Sequence, residues 1–158
     1  MSWEEYVKQA RISEENFAKN LDSPVWANTF QNMKEHWDVK GMFKDKLYKF
    51  DVKGMKKKNR WDKNFQDDIA WVEGTNVRGE PGWVKGKADY IVFDIKELNS
   101  FCFFERVLLY DFVRDIKQKA KNKTEYMKLY TRKNRKDVLV KVTYDDIKHL
   151  QFQKIRYD

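Results

Sequence analysis

Between Ala88 and Phe93 the chain reads Ala-Asp-Tyr-Ile-Val-Phe, an apolar, β-rich run. A run of this kind reads as a central strand, and a strand in the middle of a sheet needs other elements to cover it. Further strand patterns surround it. Leu47 to Lys53 alternates and ends at Gly54, with a polar hairpin turn at Phe43-Lys44-Asp45-Lys46 before it. Ile69 to Glu73, Phe101 to Phe104, Tyr126 to Thr131 and Val138 to Val142 read as strands as well.

Helical patterns punctuate these strands. Ser13 is placed to cap a helix in which Glu14, Phe17, Ala18 and Leu21 follow the i, i+3, i+4, i+7 rule, and Pro24 closes that unit. Residues 25–37 read as helix or irregular structure. Residues 107–120 form a second helix, with Val107, Leu108, Tyr110, Val113 and Ile116 available for its apolar face, and Tyr144 to Leu150 a short third one. Helix, strand cluster, helix, strands, helix is the order of an α/β or α+β sandwich, a mixed central sheet flanked by helices. With 158 residues, 41% of them hydrophobic, and no linker-like segment, residues 1–158 are expected to form a single domain.

Charge narrows the partners. The net charge is +8, from 33 Lys and Arg against 25 Asp and Glu, which favours a polyanion such as DNA while leaving carboxylates for other work. Cys102 is the only cysteine and sits in Phe-Cys-Phe-Phe, the setting of a small buried hydrophobe in a reducing, cytoplasmic protein. The opening residues Met1-Ser2-Trp3-Glu4-Glu5 do not read as a signal peptide, and no apolar run approaches the ~20 residues of a membrane span. Neither a phosphate-binding loop nor a dinucleotide fingerprint occurs, so no nucleotide cofactor is expected. His36 and His149 have no cysteine companions for a zinc site.

The tetrapeptide Asp-Val-Lys-Gly occurs twice, at Asp38–Gly41 and at Asp51–Gly54. Only the second copy closes a β-patterned run. There the period of two puts Asp51 and Lys53 on one face of a strand, with the Val52 side chain pointing the other way into the core and its carbonyl left as a possible ligand. Asp38, on the neighbouring limb of the hairpin, can converge with Asp51 on one hard cation, since Mg²⁺ or Mn²⁺ prefers oxygen donors and takes few protein carboxylates. An ammonium two residues on can orient or deprotonate a water and stabilise developing negative charge. These are the requirements of phosphodiester hydrolysis.

Asp38, then Asp51-Val52-Lys53, resembles the PD-(D/E)xK nuclease superfamily, which includes restriction endonucleases and Holliday-junction resolvases. Asp38 falls on its first acidic position and Asp51 with Lys53 on the second, although Trp37 precedes Asp38 where the pattern has proline. The stretches Trp71-Val72-Glu73, Asn76 to Trp83, Gly86 to Tyr90, Tyr130-Thr131-Arg132 and Lys136-Asp137-Val138 look like those of small phage and prophage members. The resemblance implies a restriction-endonuclease-like fold and a Mg²⁺- or Mn²⁺-dependent DNA endonuclease with Asp38, Asp51 and the Val52 carbonyl at the metal. It also implies a Glu on the first helix facing that metal. Helical spacing turns Glu14 inward and Glu15 to solvent, although Glu14 also reads as an ordinary acidic residue after a Ser13 cap. Glu73 either approaches the metal or Lys53, or pairs with a surface lysine.

Lys56, Lys57, Lys58 and Arg60 follow the candidate catalytic strand and can clamp phosphates; Lys85, Lys87 and Arg132, with Lys133 and Arg135, extend that patch. Lys40 reads as a solvated hairpin residue, and Asp89 as a structural group holding the Gly82–Gly86 loop. No base-reading helix is evident, so structure-selective cutting suits the chain better than sequence-specific cutting. Cutting two strands calls for a homodimer. The rival readings are an inactive nucleic-acid-binding accessory protein and an adaptor or inhibitor that binds a host protein.

Overall fold

In the computed structural model, residues 2–55, 69–76, 78–120, 129–131 and 138–157 are described. Lys56, Lys57, Lys58, Arg60, Arg132, Lys133 and Arg135 lie outside them, as does the 126–128 part of the expected strand. The elements in chain order are α1 (Trp3–Ala18), β1 (Asp22–Trp26), a π-helical turn (Gln31–Glu35), β2 (Val39–Phe43), β3 (Lys46–Gly54) and β4 (Ile69–Thr75). They continue with β5 (Tyr90–Ile95), β6 (Ser100–Glu105), α2 (Arg106–Ala120), β7 (Leu129–Thr131), β8 (Val138–Thr143), α3 (Tyr144–Ile147) and β9 (Gln151–Arg156).

Two sheets result, one of six strands in the order β1-β2-β3-β5-β6-β9 and one of three in the order β4-β8-β7. Among the described residues only the β3–β5 pairing is parallel and the other pairings are antiparallel. The expected mixed sheet flanked by helices is therefore present, in an α+β arrangement with mostly antiparallel strands. β5 lies in the interior of the larger sheet and all six of its residues are buried. The hairpin between β2 and β3 turns on Lys44 and Asp45, both with positive φ (49° and 66°), which suits the twist of a two-residue connection.

The larger sheet separates two cores. On one face α1 brings Phe17 and Ala18, and the turn after it Leu21, onto Val39, Phe50, Val52, Val92, Phe101 and Phe103. Phe17 meets the rings of Phe50, Phe101 and Phe103 edge-on at 5.0–5.5 Å, the packing expected of aromatic quadrupoles. On the other face Ile91, Phe93, Cys102 and Phe104 meet α2 and the small sheet through Leu109, Val113, Ile116, Val72 and Val142. Cys102 is fully buried, as its apolar neighbours suggested, and burial pushes its thiol up to about 11.

Several expectations need correction. The first helix starts at Trp3, where Ser2 and Glu5 form a reciprocal capping box; Ser13 lies inside it and its hydroxyl donates to Asp94 instead of capping. Pro24 lies in edge strand β1, which the reading of residues 25–37 as helix or irregular structure missed, and β9 was not expected at all. Both are edge strands in which no residue is fully buried, so the core imposes little pattern on them. Val107 and Leu108 are exposed because α2 buries the i, i+4, i+7 set Leu109, Val113 and Ile116, which turns the two preceding residues outward. Asp89 does not hold the Gly82–Gly86 loop. It accepts from the Lys49 amide at 2.8 Å and so ties down β3, while Arg106 holds the loop through the Val84 and Ala88 carbonyls.

Candidate active site

β2 covers β3 only as far as the Val39–Phe50 pair. Beyond it, the strand segment Asp51 to Gly54 has no strand neighbour on that side among the described residues, which leaves backbone polar groups needing partners. Asp38 fills the gap. Its amide donates to the Phe50 carbonyl at 2.8 Å, and its Oδ2 accepts from the Val52 amide at 2.8 Å. Backbone parity puts the Val52 carbonyl on the same strand edge. Trp37, 1% exposed in the core, anchors the approach, and Asn32 Nδ2 donates to Asp38 Oδ1 at 2.8 Å.

Asp51 and Lys53 share the opposite face of β3 from Phe50 and Val52. Asp51 is buried and its Oδ2 has no hydrogen-bond partner among the described residues. Lys53 Nζ lies 3.3 Å from Asp51 Oδ1 and 5.0 Å from the Trp83 ring centroid, a cation–π contact that holds the stem in place. Its side chain keeps 32% of its surface accessible. Glu73 stands on β4, in the small sheet and not beside β3, and its charge acts on Lys53. Lys40 is in β2, a strand of the β2–β3 hairpin, opposite Lys49. Of the two lysines in the repeated tetrapeptide, it is Lys53 that the fold brings to the carboxylates.

Glu14 reaches the cluster from α1. It is half-buried and within hydrogen-bonding reach of Asp38, while Glu15 faces solvent and pairs with Arg11 at 3.2 Å. Burial, then the charge and hydrogen bond of Asp38, push Glu14 from near 4.5 up to about 7, against the opposing pull of Arg11 and Lys53. Asp51 is also raised well above the usual carboxylate range, by burial first and by Asp38 next, with Lys53 opposing. For Lys53, burial works downward, but Asp51, Asp38 and Glu73 together outweigh it and the net shift is upward. A neutral Asp51 and an ammonium stabilised by its charge do not hold in full together. With its Nζ over an aromatic face and partly solvated, Lys53 is the group that stays charged, and the carboxyls share the protons.

Among the described residues, no three His, Cys, Asp or Glu side chains are splayed so as to hold a metal ion as they stand. The carboxyls are instead turned toward one another and toward amide donors. The donor set itself suits a hard cation: all ligating atoms are oxygens, two carboxyls hold protons above their ordinary range, and a buried carboxylate oxygen lacks a partner. A cation that replaces those protons would relieve both the raised proton affinities and the unpartnered oxygen.

Asn32, Trp83 and His36 were not anticipated. His36 has positive φ (58°) and is lowered by burial and then by Lys53, so it stands near the ammonium as a neutral ring. Nothing in their local sequence marks them, since each acts across the fold. Lys85 and Lys87 are exposed beside this region, and Lys87 Nζ lies 3.4 Å from Glu35.

The loop that carries Trp83 packs tightly. A Cβ at Gly82 would fall 2.3 Å from the Glu73 carbonyl oxygen, a backbone atom with no room to give. Gly82→Ala is expected to cost about 1–3 kcal/mol in urea denaturation. Gly54→Ala, where a Cβ meets nothing within 4 Å, should change stability by no more than about 0.5 kcal/mol.

No protein-family model matches the chain, and no curated protein or solved structure is found to resemble it.

Proposed function

We propose that the chain is a metal-dependent DNA endonuclease of the PD-(D/E)xK kind. The observation that carries this reading is the meeting of Asp38, Asp51 and Lys53 at the uncovered end of β3, with Glu14 closing on them from α1. Mg²⁺ or Mn²⁺ would be held by Asp38 and Asp51, with the Val52 carbonyl and Glu14 as further donors. When bound, the ion would neutralise charge on the scissile phosphate and make hydroxide available near neutral pH.

The chain's own groups divide the rest. Lys53, whose net shift is upward, acts as a cation: it orients the attacking water and stabilises negative charge growing on the phosphate. Glu14, the carboxylate that closes on the cluster from α1, is the oxygen base placed to accept the proton of that water, whereas Lys53 stays charged. Glu73 and Trp83 position Lys53. The net charge of +8 favours a nucleic acid over other phosphodiesters, with Lys85 and Lys87 contacting phosphates near the site. Structure-selective cutting, as of a branched junction, fits the lack of a base-reading helix. The setting is the cytoplasm, of a host cell if the chain is phage-encoded.

Incubation with supercoiled plasmid and with a four-way junction, in Mg²⁺, Mn²⁺ or EDTA, tests the reading. Nicking with either metal and none with EDTA is expected. Persistent DNA binding without nicking in any metal favours a non-enzymatic nucleic-acid-binding protein, and loss of binding as well favours a protein-binding adaptor.

A further inference from the structure

We infer that the front half of α1 is a dimerisation helix, which packs antiparallel against the same helix of a second copy about a dyad between Tyr6 and Val7. This does not depend on the chemistry proposed for the carboxylate cluster. α1 is 16 residues long, yet only Phe17 and Ala18 at its end are buried. Trp3 is 79% exposed, Val7 51% and Tyr6 42%, and Ala10 is exposed too. The four recur at i, i+3, i+4 and i+7, and the same stripe continues through Glu14 to Phe17, which face the body. One apolar stripe thus runs the length of the helix, with its front half turned to water. An overhang this short is marginal as a helix by itself. Its start is nonetheless braced, with the Ser2 amide donating to Glu5 Oε2 at 2.8 Å and the Glu5 amide to Ser2 Oγ at 3.2 Å. An exposed apolar stripe led by tryptophan and tyrosine has the composition of an interface core.

Two features point to a second copy as the occupant. An antiparallel dyad between Tyr6 and Val7 sets Trp3 of each copy against Ala10 of the other, the largest side chain against the smallest. The same dyad lays one border of the stripe against itself in reverse. Glu4 and Arg11 stand two turns apart on that border; the dyad sets Glu4 of each copy level with Gln9 of the other, about 3 Å along the axis from Arg11, a gap the long arginine side chain spans. Arg11 now pairs with Glu15 and lies 3.9 Å over the Trp26 ring, but its side chain stays 49% exposed. The acidic first turn, Glu4 and Glu5, disfavours a phosphate backbone on this surface. Trp3, Tyr6 and Val7 are already partly covered, so two copies bury at most roughly 1,000 Å², the lower limit for a specific interface, and a weak dimer is expected.

Sedimentation of the full chain across the micromolar range tests this. The wild type is expected to dimerise. Glu4→Arg and Arg11→Glu should each weaken the dimer at least tenfold, and an equimolar mixture of the two variants should restore it. Val7→Cys should form a disulfide-linked dimer on mild oxidation, and Ile12→Cys, on the far side of the helix, should not. A chain that stays monomeric throughout, a dimer indifferent to both reversals, or a mixture that fails to restore it would overturn the inference.

Discussion

Asp51→Asn is expected to lower metal-dependent DNA cleavage about a thousandfold or more, while making the metal-free protein more stable than wild type at pH 8. The two effects have one source. Asp51 is buried, its Oδ2 lacks a hydrogen-bond partner among the described residues, and a second carboxyl faces it from Asp38. An unsatisfied buried acceptor costs roughly 1–3 kcal/mol. The asparagine amide keeps the side chain's size, removes the charge that burial disfavours and offers Asp38 a donor. In a chain of this length 1 kcal/mol is worth about 2–4 °C in Tm. Lys53 keeps Asp38 and Glu73 as opposing charges in the variant. Lys53→Ala should lose cleavage to a similar extent without the gain in stability. Thermal melts and plasmid nicking on the same preparations separate the outcomes. A destabilised, fully active Asp51→Asn would remove Asp51 from the site.

The second large effect is in pH. Glu14 and Asp51 both bind protons more tightly in the folded chain than in the unfolded one. Between their ordinary values and about 7 for Glu14, the folded state therefore holds more protons, and stability falls as pH rises through that interval. Asp51, raised well above its usual range, extends the fall toward higher pH. The groups facing this pair are Asp38, Arg11 and Lys53; the two cations oppose the shifts and do not reverse them. The metal-free protein should melt roughly 5 °C or more higher at pH 5 than at pH 8. Glu14→Gln and Asp51→Asn should each flatten that slope. Saturating Mn²⁺ should abolish it, because a bound cation favours the deprotonated forms. A wild-type Tm that rises from pH 5 to pH 8 without metal contradicts the shared-proton arrangement.

The parts of this site that could be read from the sequence follow a strict period. Asp51 and Lys53 share a face because strand side chains alternate, and Glu14 turns inward because it lies three residues before Phe17 and seven before Leu21. Asp38 was legible only by its place ahead of the hairpin; that its carboxylate completes the β3 edge depends on β2 stopping at Val39, which no local pattern encodes. Asn32 and Trp83 touch the site from a π-helical turn and a glycine-flanked loop, where there is no period to follow. The misassigned cap has a similar cause. Ser2 and Ser13 both look like caps, and what separates them is Asp94, 81 positions away, which claims the Ser13 hydroxyl at 2.6 Å. The buried strands β5 and β6 were plain as apolar runs, while edge strands β1 and β9 were not.

The cation claim is tested most directly by calorimetric titration of Mn²⁺ into the metal-free protein at pH 6.5, in two buffers of different ionisation heat. One ion per chain should bind with release of roughly one proton, since the carboxyls that receive it must give up what they share. Asp51→Asn should bind no ion with measurable heat. No binding to the wild type, or binding that releases no proton and is unchanged in Asp51→Asn, would contradict a metal site at Asp38 and Asp51.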